Sequence, residues 1–426
     1  MKKMNFVWMF LGTGMGAIMG LLMNILLARN LAKEDYGIFG IGLTFINILS
    51  VIIGFGVADF IVKSFAVEGR RAYRYVNACI SLFTISFTIT LLILLIVVFS
   101  PMYDFETKYF LLLIVPNIFL QGIYAINNSI NQIEENFKAV SLSNFLLYFV
   151  RFFAAVLSVL TFKDVIALGW YIVILSILAI FPFWRVVRKL YTREIKVPVL
   201  QDAKIPEDAT VLETFKETYP FGLIGIFYFI YYQSNVLLLS FLVGKVAVGE
   251  YNAAFAIIQL AFMFPDLIFR RIFYTRIHVW ATHDPVQLKR FNKRSSIILF
   301  ILGLIGIVFI WFTAKYLILF TAGEKYLDSV FYLQLLSLAI LFKFATAVNG
   351  TILSTQHMVY KMMRINAIIA IINLIANIIL IPIFKVEGAI FATLISEFTM
   401  AIIVFIVSHK YLNQLVINAT ENNLGN

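Results

Sequence analysis

Apolar runs of about 20 residues, separated by polar turns, make up almost the whole chain. A helix needs about this many mainly apolar residues to cross the hydrocarbon core of a bilayer. The runs therefore predict transmembrane helices. Twelve runs qualify, six on each side of a longer polar stretch: 6–28, 37–61, 77–100, 109–130, 137–161 and 166–184, then 219–242, 251–269, 295–314, 329–353, 362–384 and 388–408.

The composition supports a membrane environment for these runs. Apolar residues make up 62% of the chain and charged residues only 13%, whereas soluble domains carry about 25% charge. The first run follows Lys2 and Lys3, has no convincing cleavage site and is too long for a signal-peptide core, so we expect it to remain as a helix. The predicted fold class is an all-α polytopic membrane protein with twelve transmembrane helices.

The two halves of the chain begin in the same way. A polar turn ending in an acidic residue and a tyrosine follows the first run, at Asp35 and Tyr36. Glu250 and Tyr251 repeat the pair after the seventh run. We therefore predict two pseudo-symmetric six-helix lobes. The predicted divisions are an N-terminal lobe at 1–184, a cytoplasmic linker at 185–217, a C-terminal lobe at 218–410 and a cytoplasmic tail at 411–426.

The distribution of basic residues predicts the orientation of the helices. Of the 34 Lys and Arg residues, 24 fall on the face that holds both termini, 8 fall on the opposite face and two lie inside runs. Because cytoplasmic loops carry an excess of Lys and Arg, both termini are predicted to be cytoplasmic. The net charge of +11 then serves to hold anionic lipid headgroups. The charges are scattered between spans, so we expect no nucleic acid as a partner.

The sequence contains none of the patterns that would indicate an enzyme. We find no hydrolase constellation, no phosphate-binding loop and no metal-ligand spacing, so no enzymatic activity, no cofactor and no metal are expected. His278 and His283, without a nearby cysteine, are weak evidence for a metal site. Gly12, Gly16 and Gly20 follow no strand, so their spacing predicts a close helix–helix contact rather than a dinucleotide loop.

Three short motifs resemble those of the polysaccharide flippases, which export O-antigen or capsule repeat units. This family belongs to the multidrug/oligosaccharidyl-lipid/polysaccharide exporter superfamily. The motifs are Ala28-Arg29-x-Leu31 with Tyr36-Gly37, then Gly249-x-Tyr251-x-x-Ala254, and finally Asn373, Asn377, Ile381-Pro382, Gly388-Ala389 and Ala392-Thr393. Together with the twelve runs, the resemblance covers nearly the whole chain.

The resemblance implies both a fold and a function. The fold would be the two-lobed, V-shaped, MATE-like architecture of this superfamily, in a bacterial plasma membrane. The substrate would be an oligosaccharide on polyprenyl pyrophosphate, flipped from the inner to the outer leaflet for surface polysaccharide or lipopolysaccharide biosynthesis. Polysaccharide polymerase and export proteins would be its partners. One position departs from the family: many relatives carry an acid where this chain has Asn235, so a coupling role of that acid does not carry over.

Two cations inside runs are the first candidates for substrate binding. A diphosphate and its sugars cannot cross hydrocarbon unaided, because a charge at the bilayer centre costs from about 2.5 to over 10 kcal/mol. Arg151 and Lys343 are predicted to line a polar cavity between the lobes and to neutralise the diphosphate or an acidic sugar. The alternative is that each pairs with an intramembrane acid and only holds helices together. Arg29, at the outer end of the first run, is either a ligand or an interfacial anchor.

An aromatic stripe on the seventh run is the candidate sugar-binding surface. Its members recur at helical spacing and so share one face: Tyr228, Tyr231, Tyr232 and Asn235. Aromatic rings suit the apolar C–H patches of sugars, and an amide suits their hydroxyls. The alternative is a packing stripe against neighbouring helices.

Two acids are the candidates for coupling transport to an ion. Glu397 lies deepest and Asp59 lies near the end of the second run. A carboxylate in a low-dielectric site can bind a proton at neutral pH, so proton or sodium coupling is expected. The alternative for Glu397 is an ion pair or a hydrogen bond with a neighbouring helix.

Two other function classes remain open from the sequence. The first is a cation-coupled drug or metabolite antiporter of the same fold. The second is a membrane-embedded glycosyl- or acyltransferase or polymerase, which would need a clustered acid/base site or a long outer loop.

Overall fold

The computed structural model describes most of the chain. The ranges described are 3–196, 205–266, 268–269, 273, 276–277, 280–281, 284–353 and 358–424. His278 and His283 lie outside the described residues. Within the described ranges the regular structure is helical, with no strand.

Eight α-helices precede the central polar stretch. They are α1 (Lys3–Asn30), α2 (Lys33–Gly54), α3 (Val57–Glu68), α4 (Val76–Phe99), α5 (Phe105–Leu113), α6 (Val115–Ile133), α7 (Phe137–Thr161) and α8 (Val165–Thr192). A 3₁₀ segment, Gly69–Tyr75, connects α3 to α4.

Five long α-helices follow it in the described residues. They are α9 (Val211–Leu242), α10 (Lys245–Asp266), α11 (Pro285–Thr321), α12 (Ser329–Leu353) and α13 (Val359–Leu424). Lys385, with φ 52° and ψ −118°, interrupts α13 and divides it into a first limb, 359–384, and a second limb, 386–424.

The prediction of a multi-pass helical membrane protein is confirmed. In the described residues, nine stretches are long and apolar enough to cross a membrane. Two of these, Lys33–Phe99 and Tyr360–Asn418, are 67 and 59 residues long, which is enough for two crossings each. The count of twelve crossings itself stays a prediction.

Two of the predicted runs are broken helices. The run 109–130 divides into α5 and α6 just before Pro116, which lies in the first turn of α6. Proline has no amide hydrogen and fits a first turn better than a helix interior. The run 37–61 divides at Phe55 and Gly56, whose φ angles are 30° and 74°.

The chain forms two compact units, 1–233 and 234–426, with the boundary inside α9. In the first unit α1 packs on α7, and α6 packs on α8. In the second unit α12 contacts α10, α11 and α13. The predicted lobe and linker limits stay predictions, although helix α8 extends beyond residue 185 and α9 begins before 217.

Close contact explains the glycines of α1. A Cβ on Gly12 would overlap Ser141, and one on Gly16 would overlap the ring of Tyr148. Both neighbours belong to α7, so the glycine face allows α1 and α7 to approach closely.

The acid–tyrosine turns are built alike in both units. Tyr36 and Tyr251 are 1% and 0% exposed. The Tyr36 hydroxyl donates to Asn24 Oδ1 at 3.2 Å, and the Tyr251 hydroxyl accepts from Asn235 Nδ2 at 3.1 Å. Each tyrosine therefore ties its turn to an asparagine on another part of its unit.

Candidate functional site

Arg151 is a buried cation in the middle of α7. It is 8% exposed, and its Nε donates to Asn117 Oδ1 at 3.0 Å. Its Nη2 is buried and has no hydrogen-bond partner among the described residues. No carboxylate of the described residues forms an ion pair with it, so the guanidinium is buried without a counter-charge there.

Asn117 positions this guanidinium. It lies in the first turn of α6, directly after the break at Pro116, and its Nδ2 donates to Ser176 Oγ of α8 at 3.0 Å. Arg151, Asn117 and Ser176 therefore form a chain of polar groups across three helices. Ten residues further along α6, Asn127 Nδ2 donates to Ser143 Oγ of α7 at 2.8 Å, so polar contacts hold α6 and α7 together in a second place.

Lys343 and Glu397 lie together in the second unit. Lys343 Nζ of α12 lies 3.9 Å from Glu397 Oε1 in the second limb of α13. The Lys343 side chain is 17% exposed and that of Glu397 only 2%. Lys343 Nζ also lies 5.5 Å from the centre of the Phe262 ring on α10. The structure thus joins a predicted substrate ligand to a predicted coupling acid, which is the arrangement expected from the ion-pair alternative.

Asn235 is part of a buried polar cluster rather than a surface amide. Its Nδ2 donates to Tyr251 at 3.1 Å and to Thr393 Oγ1 at 2.6 Å, and its Oδ1 accepts from Asn377 at 2.6 Å. Asn377 also donates to Asn373 Oδ1 at 2.8 Å. The cluster connects α9, α10 and both limbs of α13, and none of these members carries a formal charge.

Two serines extend the cluster at Asn373. Ser234 donates to Asn373 Oδ1, and Asn373 Nδ2 donates to Ser396 Oγ at 3.0 Å. Asn377 Oδ1 is buried without a hydrogen-bond partner in the part of the chain that the structure describes. The remaining amide groups satisfy one another, as buried polar groups must to avoid a desolvation cost.

The tyrosines of α9 differ in their surroundings. Tyr228 and Tyr232 are half-buried, and their rings stack with centroids 5.7 Å apart and planes 10° apart. Tyr231 is 4% exposed and meets Tyr232 edge-on at 6.4 Å. Only Tyr228 and Tyr232 therefore offer accessible ring surface, while Tyr231 and Asn235 are packed.

Asp59 and Arg29 are exposed residues at helix ends. Asp59 lies in the first turn of α3, where its negative charge favours the positive end of the helix dipole. Arg29 lies in the last turn of α1, where its positive charge suits the opposite end. The structure does not bring either residue to Arg151 or to the Lys343–Glu397 pair in any contact that it describes.

Sequence reasoning missed the residues that hold these groups in place. Asn117, Thr393 and Ser396 received no role, although each is polar in an otherwise apolar run. Asn373 and Asn377 were recognised as part of a family motif but not as partners of Asn235. Polar side chains that recur four residues apart inside an apolar run are the available signal, and they mark the helix face that meets a neighbour.

Three carboxylates also meet although they are far apart in the sequence. Ligand atoms of Asp35, Glu106 and Asp164 lie within 4.8 Å of one another. All three residues are partly exposed, and Asp164 caps the N-terminus of α8 by accepting from the amides of Ile166 and Ala167. Asp35 and Glu106 have further partners, so this cluster does not by itself change the expectation of no metal.

Several solved membrane transporters have the same architecture as this chain. An inward-facing multidrug resistance MATE family transporter of the MOP superfamily superimposes with a TM-score of 0.72 at 14% identity, covering 94% of this chain and 95% of that one. The lipid II flippase MurJ, in an inward closed conformation, gives 0.71 at 17% identity, covering 97% and 91%. A MOP superfamily transporter from Pyrococcus furiosus, described as having a binding pocket of reversed polarity, gives 0.67 at 14% identity, covering 96% and 95%.

The fold is therefore that of the multi-pass transporters and flippases of the MOP superfamily. Residues 3–273, more than half of the chain, match the family described as "Polysaccharide biosynthesis protein". The chain belongs to this polysaccharide biosynthesis protein family. No curated protein sequence matches it.

Proposed function

We propose that this protein is a flippase for polyprenyl-pyrophosphate-linked oligosaccharide repeat units. It would move them from the inner to the outer leaflet of a bacterial plasma membrane by alternating access, for surface polysaccharide biosynthesis. The family supports the pathway, and the shared fold with a lipid II flippase supports a lipid-linked substrate. The polyprenyl tail remains in the bilayer while the protein provides a polar path for the head.

The proposal rests mainly on the burial of Arg151 without an ion-pair partner in the described residues. Removing a cation from water costs several kcal/mol unless charge or hydrogen bonds compensate it. Asn117 compensates one N–H of Arg151, while Nη2 has no partner among the described residues. An anionic phosphate oxygen supplies both the missing acceptor and the missing charge, and a guanidinium binds phosphate in a two-point geometry.

The Lys343–Glu397 pair supplies a mechanism for ion coupling. A proton on Glu397 removes the carboxylate charge, so that Lys343 can turn to an anionic headgroup. Loss of the proton restores the pair and weakens headgroup binding. Proton binding and substrate binding are then linked by one coupling free energy, as reciprocal effects on two sites must be.

The stacked rings of Tyr228 and Tyr232 are the proposed sugar contact. Both side chains are partly exposed, unlike the packed side chains of Tyr231 and Asn235. Sugar C–H groups pack against aromatic rings, so Tyr228 and Tyr232 would contact the repeat unit. Tyr231 and Asn235 would stabilise the helix bundle.

A flipping assay tests the proposal. Purified protein in vesicles is given a fluorescent oligosaccharide on polyprenyl diphosphate, and its appearance in the opposite leaflet is measured by quenching. We expect Arg151→Gln to lower the rate about tenfold or more, the effect of losing a charged phosphate contact. The exposed Arg290→Gln on α11 is the matched control and should keep the wild-type rate. Wild-type protein that moves no lipid-linked oligosaccharide would contradict the proposal.

The antiporter alternative gains support from Lys343. Unpaired cations would repel a cationic drug, but Lys343 already has an acid at 3.9 Å. Transport of soluble organic cations against a proton or sodium gradient, with no movement of the lipid-linked sugar in the same vesicles, would favour this alternative.

A further inference from the structure

An apolar cleft enters the first unit between α4 on one side and α6 and α8 on the other. Its volume is about 280 Å³. That is close to the lower end of the range for small-molecule pockets, and it is room for one slender apolar chain segment. The lining is almost wholly apolar and aromatic: Val57, Ile61, Val76, Cys79, Ile80, Phe83, Thr84, Phe87, Phe119, Ile123, Ile126, Trp184, Val187, Leu190 and Tyr191.

The cleft reaches the core of the unit and is not a shallow part of the lipid-facing surface. Val57, Cys79 and Ile123 are 1%, 4% and 2% exposed, and they belong to one hydrophobic core cluster. Protein interiors are close-packed and contain few voids larger than a water molecule. A space of this size among core residues is therefore expected to hold apolar atoms, and in a bilayer these are lipid chains.

The cleft spans the depth of one leaflet. Its lining on α4 runs from Val76 to Phe87, about 16 Å of helix at 1.5 Å per residue. Half of the hydrocarbon core is about 15 Å thick. Its end near Tyr191 and the start of α4 lies on the side predicted to be cytoplasmic, so the cleft matches the leaflet from which the proposed substrate comes.

Two arginines without an ion pair in the described residues lie at the predicted cytoplasmic ends of the helices that line the cleft. Arg188 shares a face of α8 with Trp184 and Tyr191, because it lies four residues after one and three before the other. Arg71 lies in the 3₁₀ segment that leads into α4. Both arginines are exposed, and neither forms an ion pair within the described ranges.

Two of the nearby acids form ion pairs, and a third, Asp208, accepts a hydrogen bond from Asn77 Nδ2 at 2.6 Å. Glu68 pairs with Arg74 at 3.0 Å, and Glu134 pairs with Lys189 at 2.7 Å. The cleft therefore combines an apolar channel, interfacial aromatic residues and a net positive rim. This combination complements a single hydrocarbon chain that carries a strongly anionic headgroup.

We infer that the cleft binds the polyprenyl chain of the substrate, with its diphosphate at the arginine rim, before the head enters the transport path. A diphosphate carries more charge than the phosphate of a phospholipid, and one chain fits a single cleft better than two chains do. The identity of the chain rests on the proposed function, whereas the cleft itself does not.

Photo-crosslinking tests the inference without any transport step. Full-length protein in nanodiscs of phosphatidylethanolamine and phosphatidylglycerol is irradiated with a sugar-free polyprenyl diphosphate that carries a diazirine in its chain. We expect labelled peptides from α4, α6 and α8 around the cleft. Unlabelled polyprenyl diphosphate should compete, and added phosphatidylglycerol at equal phosphate should not.

Two sets of variants localise the binding. Cys79→Phe fills the cleft and should lower labelling at least about fivefold, since it displaces apolar contacts. Ile85→Phe, on the 49% exposed face of the same helix, is the matched control and should leave labelling unchanged. Arg71→Gln and Arg188→Gln change only exposed residues and should each weaken binding about fivefold, so they decide the question if Cys79→Phe does not fold.

The crosslinking results can contradict binding in the cleft independently of whether the protein flips oligosaccharides. Labels spread evenly over all lipid-facing helices, or an equal pattern from a diazirine phospholipid, would overturn the inference even if the protein flips oligosaccharides. Labelling confined to the cleft and sensitive to both arginines would uphold it even if no oligosaccharide moves.

Discussion

At the scale of single residues, Arg151 is the position where a role in substrate binding can be separated from a role in stability. Arg151 has no counter-charge among the described residues, and its burial leaves it 8% exposed. Burying an ion costs several kcal/mol when no opposite charge compensates it, and an apolar residue of similar size removes that cost. If Arg151 is kept for an anion, its removal should therefore harm transport and spare the fold.

We expect Arg151→Met to keep or raise the thermal unfolding temperature in detergent while flipping falls about tenfold. The temperature is measured by intrinsic fluorescence and the rate by the vesicle assay. Asn117→Ala serves as the companion variant, because it leaves the guanidinium in place but removes its 3.0 Å acceptor. A large drop in unfolding temperature for Arg151→Met would show that Arg151 acts mainly as a structural residue.

Lys343 and Glu397 permit a double-mutant cycle. Removing one partner leaves a buried charge behind, so Lys343→Met and Glu397→Gln should each destabilise the protein. The double variant should lose less than the sum of the two, with a coupling energy of about 1–3 kcal/mol. Unfolding free energies of the four proteins measure it.

The same four proteins separate structure from coupling. Glu397→Gln imitates the protonated acid, so its transport should lose its response to an imposed pH gradient. Additive losses of stability in the cycle would mean that the 3.9 Å approach carries no interaction energy.

At the scale of elements, the break between α2 and α3 depends on Gly56. Its φ of +74° suits glycine, and an added Cβ would lie 2.6 Å from the backbone N of Gly222 and the O of Thr218. Backbone atoms cannot move aside as a side chain can. We expect Gly56→Ala to lower the free energy of unfolding by about 2 kcal/mol or more.

Gly14 offers the matched control for this substitution. It lies within α1, and an added Cβ there would meet nothing within 4 Å. Alanine is favoured over glycine in a helix by about 0.5–1 kcal/mol, so Gly14→Ala should be neutral or stabilising. Equal unfolding temperatures for both variants would show that the break tolerates a side chain.

The elements illustrate which features the sequence can predict. Run length predicted the helices, and the chemistry of Pro116 explains the break that divides α5 from α6. The break at Phe55 and Gly56 was missed because glycines inside an apolar run also occur where helices pack closely, so Gly54 and Gly56 did not distinguish a break from a contact. Lys343 and Glu397 were each found by charge, but their pairing is a tertiary contact between α12 and α13 that no local pattern encodes.

The same limit applies to the polar cluster of the second unit. Asn235 was selected for its place beside the tyrosines, whereas three distant helical segments determine its partners. Polar residues are easy to recognise within an apolar run. Whether they face another helix or a substrate depends on the tertiary packing.

The orientation of the whole molecule remains a prediction with a direct test. The face with both termini carries 24 of the 34 Lys and Arg residues, and the opposite face carries 8. Since basic loops stay in the cytoplasm, a fluorescent protein fused after residue 418 should fluoresce, and a periplasmic phosphatase fused there should be inactive. Both reporters should reverse when they are placed in the loop between α7 and α8.

That loop also permits a labelling control that needs no fusion. It holds Lys163 between α7 and α8, and Cys79, the only cysteine, is buried. In a Cys79→Ser background, Lys163→Cys should react with a membrane-impermeant maleimide in intact cells, and Arg290→Cys should react only after lysis. The reverse pattern would place the basic face outside and would also move the proposed diphosphate rim to the wrong leaflet for substrate entry. Orientation and substrate path thus depend on the same measurement.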